Sequence, residues 1–255
     1  MPLPFHIDIV DIVFKGILIG LIASAPMGPV GVLCVQRTLN KGRWYGFITG
    51  IGAAVSDMIY ALVTGYGMSF INWIFSENPK PYNSYGNGAA MRVSAVGFVA
   101  NSLDEVKKLS KLVTEVSHNH PEGIKGAEAT AVCIYLARNG KSISEIMDYI
   151  DKNYYPMNFT LDEIRDTYKF NETCQETVPQ ALRAFFESTG FEDAIRNAIS
   201  IGGDSDTLAA ICGGIAEAYY GIPKEIRKQA LTFLDERLLN LLIEFENVYS
   251  PIIEG

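Results

Sequence analysis

The stretch Ile201-Gly202-Gly203-Asp204-Ser205-Asp206-Thr207 carries the densest chemistry in the chain. Two carboxylates and a threonine hydroxyl, all hard oxygen ligands, stand within four residues. Such a set suits Mg²⁺ or Mn²⁺ better than zinc or copper. The paired glycines permit a tight backbone turn, and Asp204 is a natural N-cap for a following helix. Asp206 and Thr207 then fall in the first helical turn, where the helix dipole favours a carboxylate. The same residues also serve a well-capped buried helix that binds nothing.

Two further segments could do chemistry. Tyr82-Asn83-Ser84-Tyr85-Gly86-Asn87-Gly88-Ala89-Ala90-Met91-Arg92 is glycine-rich, and glycines on both sides of Asn87 let the backbone approach a ligand. Arg92 could add a charged fork or pair with an internal carboxylate. Ser117-His118-Asn119-His120-Pro121-Glu122-Gly123 holds two of the three histidines. Three roles are open to them: zinc ligands, the lining of a polar pocket, or a turn leading into a helix.

The elements that must position these residues lie in a chain of two characters. Residues 1–75 carry only Lys15, Arg37, Lys41 and Arg43 against Asp8, Asp11 and Asp57. Gly16 to Gln36 is uncharged and long enough to cross a bilayer, for which about 20 residues are needed. Ala25-Pro26-Met27-Gly28-Pro29 breaks it. A second run, Trp44 to Ser76, holds one charge, Asp57. The pattern predicts two membrane-like helices, with membrane contact through residues 8–75.

From residue 76 charges alternate with apolar positions, and an all-α domain over 76–255 is expected. Ser76 to Ser84, with Pro79 and Pro81, is the joint. Ser102-x-x-Glu105, Ser142-x-x-Glu145, Thr160-x-x-Glu163 and Thr177-x-x-Gln180 read as capping boxes. Leu103, Val106, Leu109, Leu112 and Val113 form one helical face, and Ala129, Val132, Cys133 and Leu136 another, with Gly140 as terminator. Pro179 is assigned to a first turn, and one long helix is expected after Pro223 through Leu231, Leu234, Leu238, Leu241 and Phe245. The net charge of −8 and the lack of a Lys/Arg run argue against a nucleic-acid partner. Cys34, Cys133, Cys174 and Cys212 are far apart and read as buried reduced thiols.

Taken together, residues 82–248 resemble the ADP-ribosylglycohydrolase family of the dinitrogenase-reductase-activating type, which is all-helical and Mg²⁺-dependent. The resemblance rests on Ser84 to Arg92, on His118 to Gly126, and on Phe191-Glu-Asp-Ala-Ile-Arg-Asn-Ala-Ile-Ser-Ile-Gly-Gly-Asp-Ser-Asp-Thr-Leu-Ala-Ala210. It implies that Asp204, Asp206 and Thr207 hold metal in a site that takes two magnesium ions in the family. It also implies that Ser84, Gly86, Asn87, Gly88 and Met91 line a pocket for ADP-ribose or an ADP-ribosylated substrate, with His118 beside it. Hydrolysis would release ADP-ribose, and the location implied is the cytoplasm. The family's upstream Thr-Asp-Asp-Thr motif, which completes the metal cage and supplies the acid or base, has no counterpart in residues 1–81. The domain is therefore expected to be N-terminally truncated and weakly active, to hold at most one ion well, and to lack an assignable catalytic residue. A non-catalytic ADP-ribose-binding module is the alternative.

Residues 1–75 resemble the first two spans of the lysine-exporter/threonine-efflux family. The matching residues are Gly16 to Gly20, Ala25 to Pro29, Gln36-Arg37-Thr38-Leu39, Lys41-Gly42-Arg43 and Gly50-Ile-Gly52 leading to Asp57. Two spans cannot enclose a transport path, so the alternative reading is a membrane fragment of an exporter. The basic loop between the spans would face the cytoplasm and place the hydrolase-like half outside. A chimeric reading frame would account for both oddities.

Overall fold

The computed structural model describes Trp73 and residues 75–249, all within the compact unit Ser69–Gly255. The expected span Gly16–Gln36 and Asp57 lie outside the described residues, and Trp44–Ser76 meets them only at its end. Among the described residues no helix is long and apolar enough to cross a membrane.

The described residues contain eleven helices and no strand beyond a single antiparallel bridge between Gly86 and Thr173. In chain order they are α1 Gly88–Met91, α2 Ser94–Val99, α3 Leu103–Thr114, α4 Pro121–Arg138, α5 Ile143–Asn153 and α6 Leu161–Ile164. Then follow α7 Cys174–Phe186, α8 Phe191–Ser200, α9 Ser205–Tyr220, α10 Lys224–Leu231 and α11 Glu236–Val248. Residues 76–85 are irregular and mostly exposed.

Local signals start and stop these helices. The Ser102 hydroxyl accepts from the Glu105 N–H, and Ser142 and Thr160 form complete capping boxes with Glu145 and Glu163. At the end of α4, Gly140 has φ +74° and its N–H bonds Ala137 O, while Lys141 N–H bonds Leu136 O. That pair of bonds is a Schellman stop, as expected from Gly140.

The core is built around α4, which buries residues on all sides. Ala129, Val132, Cys133 and Leu136 are buried as predicted, and so are Ala127, Ala131 and Ile134. Small residues let its neighbours come close. A Cβ on Gly126 would sit 2.7 Å from Cys174 Sγ on α7, and one on Gly97 of α2 would sit 2.5 Å from Ile134 Cβ. Helix α9 is the second pillar, with Leu208, Ile211, Cys212 and Ile215 fully buried. Helices α4, α7 and α9 pack on one another, and α1 lies against all three. Cys133, Cys174 and Cys212 are free and buried.

Four expectations need correction. Leu112 and Val113 are 56% and 42% exposed, because α3 turns Val106, Ser110 and Thr114 inward instead. Those three recur every four residues, and the Ser110 hydroxyl is satisfied within the helix, donating to Lys107 O (3.1 Å). Thr177 does not cap a helix: α7 begins a turn earlier, at Cys174, after Asn171 Oδ1 accepts from the Thr173 N–H (2.9 Å). For the same reason Pro179 lies inside α7 rather than in its first turn. The long last helix is two helices, since Asp235 Oδ1 accepts from Leu238 N–H (2.8 Å) and starts a new one. Neither α10 nor α11 has a buried residue, and an Arg227–Glu246 pair at 2.6 Å ties them together.

Candidate functional site

The acidic turn forms as its sequence dictates. Gly202 and Gly203 both take positive φ, +73° and +68°, and Asp204 is the N-cap residue of α9. Its side chain makes no capping bond, which leaves the carboxylate available for other partners. Gly203 is required twice, since a Cβ there would also sit 2.4 Å from the Tyr168 ring. Asp206 and Thr207 follow in the first turn, and Thr207 is buried.

The two acids perturb each other. Burial pushes the Asp204 carboxyl up, while a side-chain bond from Asp204 holds Asp206 down. One shared proton, or one cation, relieves the repulsion between such neighbours. Asp204, Asp206 and Thr207 are the candidate ligands for a hard dication, three oxygens from one turn. Among the described residues no group of three or more His, Cys, Asp or Glu gathers into a metal cluster, at this turn or elsewhere.

The glycine-rich segment lies against the start of α7. Asn87 N–H donates to Glu172 O (2.7 Å), Cys174 N–H to Tyr85 O (2.9 Å), and Cys174 Sγ–H to Gly86 O (3.2 Å). The Ser84 hydroxyl accepts from Gly86 N–H (3.2 Å) and closes the turn. Asn87 is only 7% exposed, and its Nδ2 donates to Asp204 Oδ2 at 2.6 Å. Met91, on α1, reaches the same place: its Sδ accepts from the Thr207 hydroxyl at 3.6 Å. The loop and the acidic turn, 117 residues apart at Asn87 and Asp204, are therefore one site.

His118 belongs to it. Its Nε2 would lie 3.5 Å and 3.8 Å from Cβ atoms built on Gly86 and Gly88, so the ring edge overlooks the loop. On the other side Nδ1 contacts Ser117 Oγ (2.8 Å) and an Arg92 nitrogen (3.3 Å), and that same nitrogen donates to Ser117 Oγ (2.8 Å). A guanidinium can only donate, so Nδ1 carries the lone pair and Nε2 the proton. Burial first, and the Arg92 charge second, hold His118 down to about 4, so the ring is neutral at pH 7.

The three roles left open for the histidines now separate. His118 lines the site, whereas His120 caps α4, its Nδ1 accepting from Glu122 N–H (3.1 Å). Arg92 bonds Ser117 and His118 rather than a carboxylate among the described residues. Sequence reasoning missed Thr177, Asn171 and Tyr168. Thr177 accepts from Asn87 Nδ2 at 3.1 Å, and Tyr168 packs on Gly203. The only signal from Thr177 was a capping pattern, and it pointed elsewhere.

The ADP-ribosylglycohydrolase family model matches residues 19–250, and the chain belongs to that family. The match begins well before residue 82, where the motif resemblance begins. The chain is 26% identical over 217 residues to the chicken (Gallus gallus) ADP-ribosylhydrolase ARH3, covering 62% of this chain and 59% of that protein. It is 25% identical over 191 residues to the ADP-ribosylarginine hydrolase Tri1 of Pseudomonas putida, covering 71% and 51%. A shorter match, 36% over 59 residues, is to the putative amino acid efflux protein YcgF of Bacillus subtilis, covering 23% of this chain and 28% of that one. The chain spans between half and three fifths of the length of these two hydrolases.

Proposed function

We propose that the chain is a metal-assisted hydrolase of ADP-ribosyl bonds, with residues 76–255 forming the hydrolase-like domain. One observation carries this reading: Asn87 of the glycine-rich loop bonds Asp204 of the acidic turn, joining a ligand-lining segment to a set of hard ligands. Two carboxylates and a hydroxyl fit Mg²⁺, with Mn²⁺ as a substitute, because Mg²⁺ keeps several waters and is held by few protein oxygens. Asp204, Asp206 and Thr207 would hold the ion, which would supply Lewis acidity toward a ribose diol and a water.

The other residues bind and orient. Ser84, Gly86, Gly88 and Met91 line the face on which ADP-ribose would lie. His118 offers Nε2–H over Gly86 and Gly88, a neutral donor suited to a hydroxyl or phosphoryl oxygen. The side chain of Asn87 faces inward to Asp204, so its part is to tie loop to turn rather than to touch ligand through its amide.

Three oxygens from one turn leave half of an octahedral shell to water. Turnover is expected to be slow. The test is release of ADP-ribose from ADP-ribosyl-arginine and ADP-ribosyl-serine substrates, with and without Mg²⁺. The wild-type chain should release it in a Mg²⁺-dependent manner, and D204A should lose at least about 100-fold, in line with metal-ligand and neighbouring losses. Equal rates for the two proteins would remove Asp204 from the reaction. The sparse ligand set favours a second reading, binding of ADP-ribose without cleavage. Calorimetry showing a bound ligand with no turnover on either substrate would select it.

A further inference from the structure

We infer that Thr177 is a positioning residue for the acidic turn, acting through Asn87; the inference deepens the metal-site reading above and rests on it. The amide nitrogen of Asn87 carries two hydrogens and meets three acceptors: Asp204 Oδ2 at 2.6 Å, Thr177 Oγ1 at 3.1 Å and Asn171 O at 3.4 Å. Thr177 spends its single proton on Asn171 O (3.1 Å). Toward Asn87 it presents only lone pairs.

A flipped amide would set its carbonyl oxygen against a carboxylate, a hydroxyl lone pair and a backbone carbonyl. The orientation is therefore fixed, with the NH₂ aimed at Asp204. Thr177 is fully buried and Asn87 nearly so, which leaves no room for water to replace a lost bond cheaply. The frame behind the relay is stiff. Thr177 stands inside α7, and the Asn171 side chain is locked by Thr173, accepting from its N–H at 2.9 Å and its hydroxyl at 2.7 Å. Thr177 thus orients a carboxylate oxygen of Asp204 that it does not itself touch, before any cation arrives.

Valine at 177 keeps the shape and removes both roles of the hydroxyl, while serine keeps the hydroxyl. Two measurements on the full chain separate the outcomes. The first is free-Mn²⁺ electron paramagnetic resonance, which gives affinity without turnover. T177V should bind Mn²⁺ about 10–100-fold more weakly than wild type, the usual loss for a residue behind a ligand, and T177S should stay close to wild type. The second is hydrogen exchange of the Asn87 side-chain NH₂ by NMR, without metal. Exchange should be slow in wild type and T177S and at least about tenfold faster in T177V, the loss of about 1.4 kcal/mol expected of a buried hydrogen bond. Wild-type Mn²⁺ affinity in T177V, or T177S as weak as T177V, overturns the inference. If wild type itself binds no Mn²⁺, the metal reading falls, and the exchange rates decide the relay: faster in T177V upholds it, unchanged refutes it.

Discussion

At the scale of single residues, the two glycines before Asp204 look alike in sequence and differ in the fold. Both take positive φ, but Gly202 has nothing within 4 Å of a built Cβ, whereas Gly203 faces Tyr168 at 2.4 Å. G202A should therefore cost only the left-handed backbone strain, about 1 kcal/mol, and G203A that strain plus a steric clash, roughly 2–4 kcal/mol. Urea denaturation of both variants measures the difference; equal losses would mean that the Tyr168 ring yields freely. The sequence singled out the acids, the loop and His118 because each sits in a local run of unusual composition, and the fold brings these segments together. It hid Thr177 and Tyr168, whose roles exist only across long chain separations.

His118 makes a second prediction at this scale. The folded chain keeps the ring neutral down to about pH 4, whereas the unfolded chain takes up a proton near its ordinary value of 6.5. A lowered value in the fold means that acid favours unfolding. The contribution is complete above pH 6.5 and is lost as pH falls toward 4, amounting to about 2 kcal/mol by pH 5. The stability of H118N should fall less steeply than that of wild type across this window, by that amount, in denaturant titrations at pH 7 and pH 5. Parallel curves would show that the ring is as free to charge in the fold as outside it.

At the scale of elements, the site is held by the contact of α4 with α7. The Cys174 thiol touches the place where a Gly126 Cβ would be, and the same thiol donates to Gly86 O. G126A should push α7 outward and lose roughly 1–3 kcal/mol, and it should also weaken ADP-ribose binding, because the loop hangs on the Cys174 region. Thermal denaturation and calorimetry on the one variant check both effects; a loss of stability with unchanged ligand affinity would uncouple loop from core. Helices with strong local signals were legible: Ser142 and Thr160 cap as their spacing says. Helix starts set by distant partners were not. Asn171 begins α7 early, and Asp235 splits the last helix, because a side chain that finds a backbone N–H decides a boundary that periodicity leaves open.

At the scale of the whole molecule, the all-helical class was legible among the described residues, since the capping signals and the apolar helical faces carry no strand alternation. The completeness of the site was not legible, because a coordination shell can draw on any part of the chain. The acidic turn gives three oxygens, and the family model reaches back to residue 19, into sequence beyond the described residues. The ion count distinguishes the two possibilities. If the turn acts alone, Mn²⁺ titration of the intact chain should saturate at one ion, with an affinity in the range of about 10⁻⁴–10⁻³ M typical of sparse oxygen sites. D206A should abolish that step, because one carboxylate and a hydroxyl cannot hold a dication against water. Saturation at two ions, or micromolar affinity, would show that the acidic turn does not act alone.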